Sequence, residues 1–285
     1  MVEEFSPSRR RVRVEVLIPS SFSREAHGPR EKMIVLGMLA RSLAAARVEA
    51  LILYHEDPVR PDESNARMIK LVMDYLNTAP YLRKRLFGLR PELRFAGLLP
   101  PLNIPTHPEK PSLDYPHYRE GLVVSSGSRS AVEAGLGEPV RVRRRLSPGS
   151  RVLVRVVPRE GGRPEFRVRS RRSCEVYAGF KTSIVDDPLS DVVEAYDVKI
   201  ATSRRGVDVR GHLAELRERC SGAKRICVAF GAAREGLYEI AERQGFRLED
   251  VFDYVLNVMP IQGVRTIRTE EAVAYALSIL NLALD

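Results

Sequence analysis

Three short stretches hold the residue types and spacings from which a ligand-handling site could be built. They are "ATSRRG" (201–206), "FGAAREG" (230–236) and "NVMPIQG" (257–263), each following an apolar run that reads as a strand. In an open parallel sheet, loops at the carboxyl ends of neighbouring strands face one crevice, the usual place for a ligand. Gly231, Gly236 and Gly263 let backbone amides approach a bound molecule closely, and Arg205 adds a fixed positive charge. The familiar nucleotide fingerprints are missing. Gly231 and Gly236 do not form GxGxxG. They have Walker spacing, but Leu237 and Tyr238 stand where Lys and Ser/Thr would grip a phosphate. A nucleotide-cofactor oxidoreductase therefore has no support. Each residue also has a plainer role: Gly236 as a helix–strand contact, Asn257 as a turn former, Gln262 as a solvated loop residue, Arg205 as a surface charge. Spacing alone leaves the ligand open.

Charge points to a second task. The 285 residues carry a net charge of +9, and only seven of the 46 basic residues are Lys. Between Arg141 and Arg172 twelve Arg face two acids, Glu160 and Glu165. That segment contributes +10, which leaves −1 for the rest. A basic excess confined to one segment indicates a polyanionic partner; the competing reading is an arginine-rich thermophile surface. No apolar run approaches the length of a membrane span, and "MVEEFSPSRRR" lacks a signal peptide's apolar core. Cys174, Cys220 and Cys227 read as free thiols of a cytoplasmic protein. Neither they nor the five His show metal-ligand spacing.

The elements that must position these residues fall into three regions. Residues 1–90 read as strand, helix, strand and a helix interrupted before Pro80, the start of a parallel α/β sheet. From Pro91 to Pro116 seven prolines in 26 residues preclude continuous helix or central strand. Short alternating runs follow ("GLVV", "PVRVRRRL", "SRVLVRVV", "PEFRVRS", "CEVYAGF"), and this region, 91–182, reads as a small all-β module, a barrel of OB type. In it Arg alternates with apolar residues, so Arg141, Arg143, Arg144, Arg145, Arg151, Arg155, Arg167 and Arg169 are expected to present guanidinium groups to RNA. Residues 183–285 return to α/β. They end in a helix with Thr269 as expected N-cap and Glu270 and Glu271 complementing its dipole; a general-base role for either glutamate is the alternative.

"NVMPIQGVRTIRTEEAVAYALSILN" resembles the C-terminal motif of the SPOUT class of RNA methyltransferases, and more narrowly their archaeal and eukaryotic family with an OB-like insertion. "VLIPSSF", "LRFAGLLPPLNIPTHP", "HYREGLVV", "YDVKIATSRRG" and "VAFGAAREGL" extend the resemblance over nearly the whole chain. It implies an α/β fold closed by a C-terminal trefoil knot that binds S-adenosylmethionine, usually in a homodimer. Carried over residue by residue, it assigns Arg205, Gly231, Gly236, Asn257, Val258, Pro260, Gln262, Thr266 and Ile267 to the cofactor. Val258 departs from a Thr often present there, and "FGAAREG" from a commoner Ser-Pro loop.

A sulfonium donor needs an aligned nucleophile, and a uracil N3–H or ribose hydroxyl must also lose a proton. Arg205 is the candidate catalytic residue, for stabilising a developing anion. The expected activity is methylation of RNA, with ribosomal RNA as the expected substrate; a non-catalytic RNA-binding or ribosome-assembly protein with the same fold is the alternative.

Overall fold

The computed structural model describes residues 6–284; the first five residues of the N-terminal stretch lie outside it. The described residues form two compact units. The α/β unit comprises residues 10–74, 92–100 and 180–284. Its strands are β1 (Arg13–Pro19), β2 (Ala50–Tyr54), β8 (Lys181–Ile184), β9 (Val198–Asp208), β10 (Arg225–Ala229) and β11 (Tyr254–Asn257). They make one parallel sheet in the order β11-β9-β10-β1-β2-β8. Runs such as "VEVLIP" are buried nearly throughout, the pattern of strands covered on both faces.

Helix α1 (Pro29–Ala45) shows why the sequence folds locally as it does. Pro29 fits the first helical turn, where its missing N–H costs nothing. Met33, Leu36, Leu39, Ala40 and Leu43 recur at helical spacing and are all buried. Each large side chain so buried contributes about 1.5–3 kcal/mol. Helices α2 (Glu63–Leu76) and α3 (Pro80–Phe87) flank the expected break before Pro80. The shorter α4 (Leu189–Val193), α5 (Leu213–Ser221), α6 (Leu237–Gln244) and α7 (Leu248–Val251) link the later strands, and α8 (Thr269–Leu284) ends the chain. Gly245, left-handed at φ 80°, closes α6 as a glycine cap.

The second unit, residues 6–9, 75–91 and 101–179, is the β module. Its strands β3 (His117–Ser125), β4 (Ser130–Glu133), β5 (Val140–Val142), β6 (Arg151–Val157) and β7 (Glu165–Arg169) form an antiparallel sheet, order β5-β4-β3-β6-β7. Its edge strands β5 and β7 approach each other, so the sheet is nearly closed. Val123, Val132, Val140, Val142 and Val154 fill the interior.

Two local expectations need correcting, and one strand was missed. "CEVYAGF" is no strand: apart from one bridge between Ser8 and Val176 it is irregular, and it packs Cys174, Val176 and Ala178 on Tyr118 and Leu153. "KTSI" (181–184) is not part of the β module but an edge strand of the α/β sheet, paired with β2. Strand β4, "SAVE", carries too little apolar alternation to be read from sequence. The cysteines are buried and unpaired. Among the described residues no helix is long and apolar enough to cross a membrane.

Candidate functional site

Residues 201–206 were expected to be a loop ending a strand, but they are an excursion within one. Ala201 pairs with Val255 and Val207 with Leu256, so on the β11 side the register skips residues 202–206. The strand resumes where Gly206 passes β11 so closely that a Cβ there would lie 2.5 Å from the Val255 carbonyl oxygen. The excursion is thus pinned at its far end by a glycine, and Thr202 Oγ1 donates to the Ala229 carbonyl at its near end (2.9 Å).

This excursion, the loop after β10 and the loop after β11 enclose a cavity of about 510 Å³, within the range of small-molecule sites. Arg205, Gly231, Gly236, Asn257, Val258, Gln262, Thr266 and Ile267 all line it. Pro260 lies in the same turn but outside the lining. At Gly231 an added Cβ would meet the Glu235 carbonyl oxygen, Gly236 Cα and Leu237 N, each at 2.9 Å. The backbone there is folded back on itself, and only glycine fits.

The side chains mostly hold loops to one another. Asn257 Nδ2 donates to the Arg204 carbonyl (3.0 Å), and its Oδ1 accepts from Met259 N (3.0 Å). Gln262 Nε2 donates to the carbonyls of Val264 and Arg265 (2.8 and 3.3 Å). Arg204 also donates to Arg265 O (3.0 Å). These amides build the wall and leave backbone groups to face the cavity. Ile261, at φ 60° and 93 % exposed, occupies a left-handed conformation that a β-branched residue rarely adopts. Arg205 donates to Glu239 Oε1 (2.7 Å), with its guanidinium 4.2 Å from the Tyr238 ring centroid. It is held at the rim rather than presented freely.

A second cavity, about 810 Å³, shares the wall formed by Ala232, Ala233, Arg234 and Thr269. Sequence reasoning did not find it, because its lining comes from the loops after β1 and β2 as well as from the N-terminus of α8. Helix α8 also starts differently from expectation. The Thr269 hydroxyl donates to the Gly231 carbonyl (3.3 Å), and Glu271 Oε2 accepts from Arg268 N (2.9 Å), the back-bonding half of a capping box.

In the β module the arginines divide. Arg151 donates to Glu120 Oε1 (2.6 Å) and to the Asn77 carbonyl (3.1 Å), so it serves the interior. Glu120, 2 % exposed, also accepts from Ala79 N (2.8 Å) and stands 3.4 Å from His107. Burial alone would raise its carboxyl, but His107, Arg151 and the Ala79 amide outweigh it and bring it down to about 2. Arg167 bonds Glu165 through both carboxylate oxygens (2.8 and 3.0 Å). Arg155 lies over Tyr118, 5.6 Å from its centroid, and Arg169 donates to its neighbour's carbonyl. The expected continuous guanidinium row is therefore interrupted. Arg141, Arg143, Arg144 and Arg145, at and beyond the end of β5, are exposed, and no side-chain hydrogen bond or ion pair engages them among the described residues.

The profile of the family described as "Putative RNA methyltransferase" matches residues 13–280. An uncharacterized protein of Halobacterium salinarum is 34 % identical over 296 residues, covering 94 % of this chain and 98 % of its own. The human 28S rRNA (uridine-N(3))-methyltransferase is 28 % identical over 305 residues, covering 94 % of this chain and 77 % of its own. Its Drosophila melanogaster namesake is 27 % identical over 304 residues, with 94 % and 61 % covered. Among solved structures, a "Probable Methyltransferase" from Bordetella pertussis overlaps with a TM-score of 0.42 at 12 % identity, covering 96 % of this chain and 97 % of that one. The SpoU methyltransferase AviRb from Streptomyces viridochromogenes gives 0.34 at 12 %, covering 97 % and 60 %. Overlaps this loose carry no argument.

Proposed function

Because the chain belongs to the RNA methyltransferase family whose profile spans it, we propose that it methylates N3 of a uridine in large-subunit ribosomal RNA, with S-adenosylmethionine as donor. The observation that carries this reading is the 510 Å³ cavity, where the three sequence stretches meet around a glycine that admits no side chain. The donor fits the lining. Gly231 would admit it against bare backbone, Val258 and Ile267 would give apolar contact, and backbone groups near Asn257, Gln262 and Thr266 would meet the polar edges of its adenosine. When bound, it supplies a methyl group bearing the reactivity of a cation. Arg205 keeps the rim positive, and its tie to Glu239 makes it a support of the cavity mouth rather than a proton carrier. The uridine assignment follows the names of the eukaryotic relatives.

Three finer features belong to the same proposal. The segment after β11 threads as the SPOUT-type trefoil knot, and the β module acts as an OB-like grip on RNA through Arg141, Arg143, Arg144 and Arg145. The protein works as a homodimer through α1 and α8. These helices pack together, and they leave Ile34, Met38, Tyr275 and Leu282 exposed (45, 51, 38 and 67 %), apolar side chains that a second copy would cover. A monomeric mass in sedimentation would remove the dimer.

The deciding experiment is mass spectrometry of ribosomal RNA nucleosides from a deletion strain and its parent. Loss of 3-methyluridine, restored by the wild-type gene, is the expected result. An unchanged nucleoside profile would favour a non-catalytic RNA-binding protein.

A further inference from the structure

Methylation at a uridine N3 requires removal of the N3 proton, and among the described residues the one carboxylate lining the 510 Å³ cavity, Glu239, is held by Arg205. The adjoining 810 Å³ cavity is lined by several carboxylates, and the structure separates them. From the loop after β1, Glu25 pairs with Arg234 (3.0 Å), while Arg24 is taken up by Asp62 (2.6 Å). Glu31 of α1 accepts from His27 N (2.8 Å) and faces Arg268 at 3.8 Å. Glu56, after β2, accepts from Ser20 Oγ (3.1 Å), and Glu235, after β10, pairs with Arg243. Glu271 caps α8. Glu270 is different: it lines the cavity, is 7 % exposed, and among the described residues neither an ion pair nor another side chain engages its carboxylate. It adjoins Thr269, which lies in the wall common to both cavities and bonds the Gly231 loop.

We infer that the larger cavity receives the acceptor uracil and that Glu270 is the general base that takes its N3 proton. This rests on the reading of the smaller cavity as the donor site. N3 forms its bond to the methyl carbon as the carbon–sulfur bond of the sulfonium donor breaks. That bond's electron pair stays on sulfur, the N3–H pair stays on nitrogen, and the proton passes to a Glu270 carboxylate oxygen and then to solvent. Burial raises the Glu270 carboxyl, and Glu271 and Glu25 raise it further, against the lowering effect of its own backbone N–H and of Arg268. A base with its affinity for protons shifted toward neutrality is the better acceptor. An unpaired buried carboxylate costs stability, and retention at a cavity wall is where such a cost serves chemistry.

The test uses Glu270→Gln, which keeps the side chain's shape. Ribosomal RNA from the deletion strain serves as acceptor, alongside RNA transcribed with 5-fluorouridine, whose N3–H is more acidic. The expected result is a loss of about 100-fold or more in kcat, S-adenosylmethionine affinity by calorimetry within twofold of wild type, and a smaller loss on the fluorinated RNA. The acid limb of the wild-type rate profile should vanish in the variant. Independently of turnover, carbon-13 NMR of the side-chain carboxyls should show one signal, absent in Glu270→Gln, titrating above the ordinary carboxylate range. An active wild type with Glu270→Gln within threefold of it, or a Glu270 carboxyl titrating normally, overturns the base assignment alone. A wild type that leaves N3 unmethylated overturns the donor-site reading and this inference with it. Glu271→Gln, which removes a cap and one neighbouring charge, should lower thermal stability and keep the acid limb, moved only to lower pH because Glu271 helps to raise the Glu270 carboxyl.

Discussion

The α/β unit and the β module treat polar side chains in opposite ways. Around the α/β cavities the lining carboxylates are tied to named partners, and the exception among the described residues, Glu270, stands at a cavity wall. In the β module the exceptional groups are exposed arginines at and beyond the end of β5, while Arg119, Arg151 and Arg167 are committed to carbonyls or carboxylates. Arg119 is 1 % exposed and donates to Ala134 O, Lys110 O and Gly135 O. The lesson is that charge counts overstate what is available for binding; what matters is which charges the fold leaves unspent.

The strongest way to break the contrast is to disrupt the donor cavity. Gly231→Arg forces a Cβ to within 2.9 Å of the Glu235, Gly236 and Leu237 backbone, so the loop that walls the cavity must shift. Calorimetry should show S-adenosylmethionine affinity falling by at least 100-fold, about 3 kcal/mol, with RNA affinity within twofold of wild type. Retained donor binding would remove the cavity from the proposal.

The next effect lies inside the β module. Glu120→Gln breaks a buried ion pair and should destabilise the protein by about 3 kcal/mol in urea unfolding. The sign of its pH dependence follows from the lowered carboxyl. The stabilisation is complete above the ordinary value of 4.5 and is lost as pH falls through about 2. The stability gap between wild type and variant should therefore close from pH 5 toward pH 2, and a gap that widened would contradict the ion-pair account.

Much of this architecture was legible in the sequence, because buried parallel strands and amphipathic helices announce themselves by period. The three loops were legible as a set, since each follows a strand of that kind. Other features were not. The "TSRRG" excursion is hidden because its residues interrupt a strand pairing that only tertiary register reveals. "KTSI" looks polar and belongs to an edge strand, where one face needs little apolar character. Glu270 and Glu271 are adjacent and chemically identical. Only the helix rotation separates a cap from a buried carboxylate, and adjacent helical residues point about 100° apart.

Removing the unspent arginines sharpens the same contrast. Arg143, Arg144 and Arg145 replaced together by Ser should flatten the slope of log affinity against log salt by roughly two units, at about 0.7 per lost contact with single-stranded RNA. Donor affinity should not move. Arg167→Ser, removing a guanidinium already held by Glu165, should change the slope by less than half as much as any one of the three. Equal effects from all four would mean that the salt link to Glu165 opens on binding and that exposure alone governs the contact.

The smallest expected effect concerns the strained wall of the donor cavity. Ile261 is almost fully exposed, so it gains little from burial, yet its backbone is left-handed at φ 60°. For a β-branched residue this costs roughly 1–2 kcal/mol. Ile261→Gly removes that strain but frees the unfolded chain, which costs roughly 0.5–1 kcal/mol. The net gain should be about 0.5–1 kcal/mol in unfolding free energy, a small rise in thermal midpoint measured without ligand. The glycine also loosens the turn that Gln262 holds through the Val264 and Arg265 carbonyls. Donor affinity should accordingly fall by about two- to threefold as the wall pays more to become ordered. A variant that gains stability with unchanged donor affinity would show that the strain is incidental to the site. Loss of stability would show that the left-handed turn is held by contacts of the isoleucine side chain itself.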